Sequence, residues 1–224
     1  MKKIESIINE IGKKMVECSE GCKGIINDKK EGIIPRCLFY QNKPGNEGCV
    51  IVGINPGRSA NNETEKNAYL KGGCSYQSTV DYWRNNLIEK EKYYKYLSKF
   101  LNCLKYKGPV LWTELVKCEN SEGTIIPPLQ TFRNCANKYL AEELKCIPTN
   151  WPIIAVGREA HKAISYMFPK RAVLGIPHPT SSRGHFAKLF TSSTYEHLTT
   201  TVQNQINEFY QSSEREIWLI HDRV

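Results

Sequence analysis

The chain has 224 residues, 40% of them hydrophobic, and its 31 Lys and Arg against 23 Asp and Glu leave a net charge of +8. That length buries a sizeable core as a single α/β domain over residues 1–224, and the lack of repeats, low-complexity tracts and long linkers excludes disordered and solenoid classes. No window approaches the about 18 apolar residues of a membrane span and Met1-Lys2-Lys3-Ile4 opens no signal-like apolar run, so a cytoplasmic or nucleoid-associated protein with no membrane partner is expected, its positive balance suiting a polyanion.

Ile4, Ile7, Ile8, Ile11 and Met15 recur at helical spacing and predict an amphipathic helix over residues 2–17 that ends near Cys18. Residues 21–48, rich in Gly, Lys, Asn and Pro, read as loop with a short strand around Cys37-Leu38-Phe39-Tyr40. The run Cys49-Val50-Ile51-Val52-Gly53 is the first core strand, followed by a polar loop from Arg58 to Gly73 and a long helical stretch from Ser78 to Leu104. A second strand covers Val110 to Val116, and Pro127-Pro128 precede a helix running to Leu144. Pro152 to Gly157 form a third strand with a helix over Arg158 to Phe168 behind it. Ala172 to Ile176 form a fourth strand, and residues 195–211 a closing helix. Strands alternating with helices predict a parallel sheet covered on both faces.

Two of these strands end alike. The first runs into Gly53-Ile54-Asn55-Pro56-Gly57 and the fourth into His178-Pro179-Thr180, each delivering one hydrogen-bonding side chain beside a proline that fixes the backbone. In an open α/β sheet, ligands bind beyond the carboxyl ends of strands. Nine cysteines are also more than a cytoplasmic chain keeps as disulfides, so metal ligation is the leading explanation for some of them. Cys49, Cys103 and Cys146 sit on apolar runs or helical faces and read as small core residues.

Gly53-Ile54-Asn55-Pro56-Gly57 and His178-Pro179-Thr180 resemble the two catalytic motifs of the uracil-DNA glycosylase superfamily, and Thr113-Glu114-Leu115-Val116-Lys117-Cys118 with Cys135 is similar to a segment of its iron-sulfur branch. The Asn55 form of the first motif looks like that of the mismatch-specific glycosylases. The resemblance runs from about residue 15 through the His178 loop and implies a three-layer α/β/α sandwich around a four-stranded parallel sheet. It implies a monomeric DNA glycosylase that hydrolyses the N-glycosidic bond of a deaminated or damaged base, uracil or a relative, in base-excision repair. The rival reading is a DNA-binding member of the superfamily that recognises modified DNA without cutting the bond. A second rival, a metalloprotein acting on a nucleotide or other small phosphate ligand, would show no preference for polymer.

The resemblance also implies a 4Fe-4S cluster on Cys18, Cys22, Cys118 and Cys135, a set of four thiolates such as a cubane needs. Four thiolates also satisfy tetrahedral zinc. The branch's first pair is C-x-x-C, whereas this chain has Cys18-Ser19-Glu20-Gly21-Cys22, which leaves Cys37 as a substitute ligand. Either metal would staple loops and hold the segment between Cys118 and Cys135 in a DNA-contacting shape.

Excision requires a flipped nucleotide, a donor where charge builds on the departing base, and a water at the sugar. The resemblance assigns the donor to His178 and the water-holding position to Asn55, with Gly53, Ile54, Pro56, Gly57, Pro179 and Thr180 lining the substrate. The alternative for Asn55 is a turn-stabilising residue before Pro56. Glu114 stands where the iron-sulfur branch has a base-reading Asn. An ionised carboxylate only accepts hydrogen bonds, so Glu114 is either protonated, or faces a base edge with two donors, or serves the structure. Tyr76, with Tyr69 as alternative, is expected to stack on the base. Lys117, Arg133, Ser181, and Arg183 or alternatively His185, are expected at DNA phosphates, with Phe186 as an apolar wedge.

Overall fold

The computed structural model describes residues 2–58 and 62–220. In chain order the elements are α1 (Lys2–Val16), β1 (Ile25–Ile26), β2 (Phe39–Gln41), β3 (Cys49–Gly53), α2 (Glu63–Lys71), α3 (Tyr76–Tyr82) and α4 (Lys92–Cys103). They continue with β4 (Val110–Glu114), β5 (Glu119–Asn120), α5 (Leu129–Cys135), α6 (Ala141–Lys145), β6 (Ile153–Val156), α7 (Arg158–Met167), β7 (Val173–Ile176), α8 (Thr200–Gln211) and β8 (Glu216–Trp218). A π-helical turn follows α3 over Trp83–Leu87, and another joins α5 to α6 over Ala136–Leu140.

The fold is α/β, with six strands in one mixed sheet in the order β2-β4-β3-β6-β7-β8 and helices flanking it. The sheet expected from the sequence had four strands, all parallel. The additional members are β2, which was anticipated as a short strand, and β8, which was not. Strand β6 pairs parallel with β3, placing Ile51 opposite Ile154, and β7 pairs parallel with β6, placing Leu174 opposite Ile154. Strand β8 joins β7 in the same sense. Every residue of β3, β4, β6 and β7 is buried, which is why these strands read as unbroken apolar runs rather than alternating ones. No helix among the described residues is long and apolar enough to cross a membrane.

The chain divides into two compact units, the first made of Met1–Asn42, Gly53–Leu87 and Leu111–Pro148, the second of Lys43–Val52, Ile88–Val110 and Thr149–Val224. In the first, α1 buries Ile8 and Met15 on the face that its spacing predicts. The segment read as a polar loop contains α2, started by the Asn62 carboxamide accepting from Glu65 N at 3.2 Å. Its inward residues are Glu65 and Tyr69, facing a buried arginine, so this helix has a polar core and shows no apolar periodicity. The long helix expected over residues 78–104 is two helices, separated by the π-helical turn Trp83–Leu87 and the turn residues that follow it.

In the second unit, α4 buries Tyr94, Leu97, Phe100 and Leu101 on one face. Phe100, Phe186, Phe190 and Tyr195 form an aromatic cluster with ring centroids 5.0–6.3 Å apart. Helix α8 is capped by Thr199, whose hydroxyl accepts from Val202 N at 3.3 Å.

Gly12 of α1 lies directly beneath the ring of Tyr76, and a Cβ there would overlap the ring. Gly12→Ala is therefore expected to lose about 2 kcal/mol of stability to overpacking despite alanine's better helix propensity, read as a lower urea midpoint with unchanged m-value.

Candidate functional site

The loop after β3 is held from Gly53 to Gly57. Leu115 N donates to Gly53 O at 3.0 Å and Val116 N to Ile54 O at 2.9 Å, extending the strand geometry into the loop. Arg36 Nη2 donates to Gly57 O at the other end. The carboxamide of Asn55 donates from Nδ2 to Pro56 O at 3.2 Å and to Asn120 Oδ1 at 3.1 Å. Arg36 is buried, with Nε 3.0 Å from Glu65 Oε1 and Nη2 2.8 Å from Glu119 Oε2, and Tyr69 OH donates to the same Glu65 oxygen at 2.7 Å. Burial alone would lower the Arg36 pKa, but Glu65 and the other negative partners outweigh it, so the pKa is raised and the guanidinium stays charged.

Glu114, the last residue of β4, turns its carboxyl over Gly53, where any Cβ would overlap Oε2. The residue is 7% exposed, and Oε2 has no hydrogen-bond partner among the described residues. Burial pushes its pKa up to about 8 against the opposing pull of Lys117 and Arg36, so the group is neutral at pH 7 and presents one donor and one acceptor. Of the alternatives open in the sequence, the protonated carboxyl is the one this environment favours.

Cys18, Cys22, Cys118 and Cys135 line one small cavity of about 20 Å³, whose walls include Ile25, Pro35, Val116 and Tyr139. Cys37 is not among the lining residues. Burial pushes the Cys118 thiol up, as do Cys135, Cys18 and Cys22 beside it, and burial pushes Cys135 up to about 11. Lys117 N donates to Cys135 Sγ at 3.3 Å, an interaction that opposes the upward push of burial, and Lys138 Nζ lies 4.0 Å from Cys18 Sγ. Among the described residues no group of three or more His, Cys, Asp or Glu side chains closes around a metal ion as it stands. A cubane spaces its four thiolates around a cluster rather than one ion, and the four-cysteine donor set and the N–H···S contact suit such a group. The walls are held independently of it, since β1 pairs antiparallel with β5 and Thr131 Oγ1 donates to Lys23 O at 2.8 Å.

In the second unit, His178 follows β7 with its ring half-buried. Thr180 N and Ser181 N both donate to its Nδ1, each at 3.2 Å. Two backbone donors on one ring nitrogen make it the acceptor, so the proton sits on Nε2 and the ring is neutral. Burial lowers the pKa to about 4. The ring of Tyr93 lies beside it, with centroids 5.2 Å apart.

Several expected contacts are placed elsewhere. Tyr76 is 4% exposed with its hydroxyl donating to Leu38 O at 2.8 Å, and Tyr69 is 1% exposed and engaged with Glu65, so both are core residues rather than stacking faces. Lys117 is fully buried, its Nζ 2.8 Å from Glu143 Oε1 and donating to Glu114 O at 2.8 Å, which withdraws it from any phosphate. Phe186 is 1% exposed inside the aromatic cluster, its N–H accepted by Ser182 Oγ at 3.0 Å, so it is not a projecting wedge. Arg133, Thr180, Ser181, Arg183 and His185 are exposed. Arg36, Tyr93, Glu119 and Asn120 were missed by the sequence reading, because each acts through a neighbour and none belongs to a motif.

No protein-family model matches this chain, and no curated protein matches it at a significant level.

Because the fold favours neutral His178, its contribution to stability is full above the ordinary histidine pKa of 6.5 and is lost as pH falls toward about 4. His178→Gln is expected to flatten that acid limb, which urea unfolding at about pH 5 and pH 7 would reveal.

Proposed function

We propose that the protein is a DNA glycosylase of the uracil-DNA glycosylase superfamily, hydrolysing the N-glycosidic bond of a deaminated or damaged base, uracil or a relative, in base-excision repair. The observation that carries the reading is the fixed tautomer of His178, which leaves a neutral Nε2–H as the donor offered by the motif loop. As the C1′–N bond breaks, its electron pair departs with the base, and negative charge grows on the base oxygen. A preorganised neutral donor meets that charge without first having to lose a charge interaction in the free enzyme. The water oxygen then bonds to C1′ and its proton passes to solvent. An amide at Asn55 orients that water by accepting one of its hydrogens but takes no proton, which suits a reaction whose oxocarbenium forms before attack.

Glu114 supports an imide-bearing substrate. A neutral carboxyl donates through O–H and accepts through C=O, the pattern that complements O4 and N3–H of uracil or O6 and N1–H of hypoxanthine. Amino-bearing edges would suit the ionised form. Cys18, Cys22, Cys118 and Cys135 would hold a 4Fe-4S cluster, with zinc as the lesser fit, and bound there it would cross-link the segments around its ligands. The reading carries the superfamily's three-layer α/β/α arrangement around four parallel strands, a monomer acting in the cytoplasm, and phosphate contacts from Arg133, Ser181 and Arg183.

Labelled oligonucleotides carrying uracil, hypoxanthine, xanthine or a thymine mismatch provide the test, read as alkali-dependent strand cleavage. Asn55→Ala and His178→Ala are each expected to lower single-turnover excision about 100-fold or more while DNA affinity holds within a few-fold. DNA binding by the wild-type protein without cleavage at any lesion would move the assignment to a non-catalytic reader of modified DNA. Binding that is insensitive to salt would remove DNA altogether.

The pH dependence of excision tests the base reader separately. Wild-type activity should fall as pH rises through about 8, where Glu114 ionises and loses its donor. Glu114→Gln, which keeps one donor and one acceptor without titrating, should abolish that alkaline limb. A limb unchanged in Glu114→Gln assigns it to another group. Loss of the iron and sulfide content in Cys118→Ser and Cys135→Ser, with retention in Cys49→Ser, is the expected outcome for the metal site.

A further inference from the structure

We infer that Asn120 is a positioning residue for Asn55, fixing which end of the Asn55 carboxamide is turned to the water. The inference rests on the excision reading for its consequence, but the contact it uses does not. Ile125 O can only accept, and Asn120 Nδ2 donates to it at 2.8 Å. That bond determines the orientation of the Asn120 amide, because the reverse orientation would set two oxygens against each other. Asn120 Oδ1 is thereby left facing Asn55, whose Nδ2 donates to it at 3.1 Å. The second bond of the same Nδ2 runs to Pro56 O at 3.2 Å, again an obligate acceptor. With both N–H groups of Asn55 committed, its Oδ1 is the atom left to accept a hydrogen bond, and no donor among the described residues reaches it.

Asn120 is well placed for such a role. It lies on β5 opposite Ile25 of β1, and Ser121 N donates to Gly24 O at 3.1 Å, so its backbone is tied on both sides. Its neighbour Glu119 grips Arg36, which holds Gly57 O. One dipeptide therefore holds the loop at two points, Asn55 through Asn120 and Gly57 through Glu119 and Arg36. An amide freed from Asn120 keeps only the local bond to Pro56 O and can turn its NH2 toward the water, where it repels rather than accepts a hydrogen.

The test uses the full-length protein and three substitutions. Asn120→Ala is expected to lower single-turnover excision about 10- to 100-fold with unchanged oligonucleotide affinity, the loss that misplacement of one catalytic group produces. Asn120→Asp, whose carboxylate still accepts from Asn55 Nδ2 but sets an oxygen against Ile125 O, should give a rate between those of the wild type and Asn120→Ala. Adding Asn120→Ala to Asn55→Ala should cost nothing further, because the two act as one unit. Asn120→Ala excision within 2-fold of wild type, or a full additional loss in the double variant, overturns the inference. A second readout is independent of activity. In protein labelled with 15N-asparagine, the Asn55 side-chain amide protons should be distinct and slowly exchanging, and should become averaged in Asn120→Ala. An unaltered Asn55 amide signal in Asn120→Ala overturns the inference, whereas wild-type silence toward every lesion beside an altered signal overturns the excision reading and leaves the contact standing.

Discussion

A single buried guanidinium organises the first unit. Arg36 is withdrawn from water with Glu65 and Glu119 against it at 3.0 and 2.8 Å, and taking such ions out of water costs several kcal/mol each unless nearly every polar atom is paired. The pairing therefore dictates geometry. Helix α2 must bring Glu65 and Tyr69 inward, β5 must bring Glu119, and the loop after β3 must present the carbonyl of Gly57. Removing any one partner would strand a buried charge, so the loop carrying Asn55 is constrained by electrostatics as much as by its own proline. The backbone of Arg36 is drawn into the same arrangement, its N–H donating to Lys117 O at 2.8 Å.

The groups proposed to meet the departing base and the water are, by contrast, all neutral. Burial lowers the pKa of His178 to about 4 and raises that of Glu114 to about 8, so each is uncharged at neutral pH, and Asn55 carries no charge at any pH. Neutral donors and acceptors suit a leaving group whose charge exists only in the transition state, since a fixed charge would also bind competing ground states. The buried charges of the first unit are paired with one another, Arg36 with its two glutamates and Lys117 with Glu143. The four cysteines share a cavity beside the same β1–β5 ribbon that carries Asn120, which places the proposed cluster where cross-linking would stiffen the support of the Asn55 loop rather than take part in bond breaking.

Legibility followed burial. Strands β3, β4, β6 and β7 could be read from the chain because strands covered on both faces are apolar at every position. Helix α1 was legible because its one buried face repeats at helical spacing. Helix α2 was not, because its inward residues are Glu65 and Tyr69 and their partner is an arginine distant in sequence. Strand β8 escaped because three residues, exposed or half-buried, carry too little pattern. The misplaced site residues share one cause. Tyr76, Lys117 and Phe186 have side chains suited to either surface or core, and only the neighbours present, Gly12, Glu143 and the aromatic cluster, decide which.

What the sequence by itself determined was the α/β class, the central strands, and the positions of Asn55 and His178 directly after two of them, since apolar runs and proline turns act through local backbone physics. It also singled out four cysteines, and the fold brings those four to one cavity. Tertiary structure decided the rest. It set the protonation of Glu114, the tautomer of His178 and the orientation of the Asn55 amide, because each depends on which groups crowd a polar atom once water is gone. Desolvation and hydrogen-bond pairing are properties of a packed neighbourhood, and no spacing along the chain specifies them.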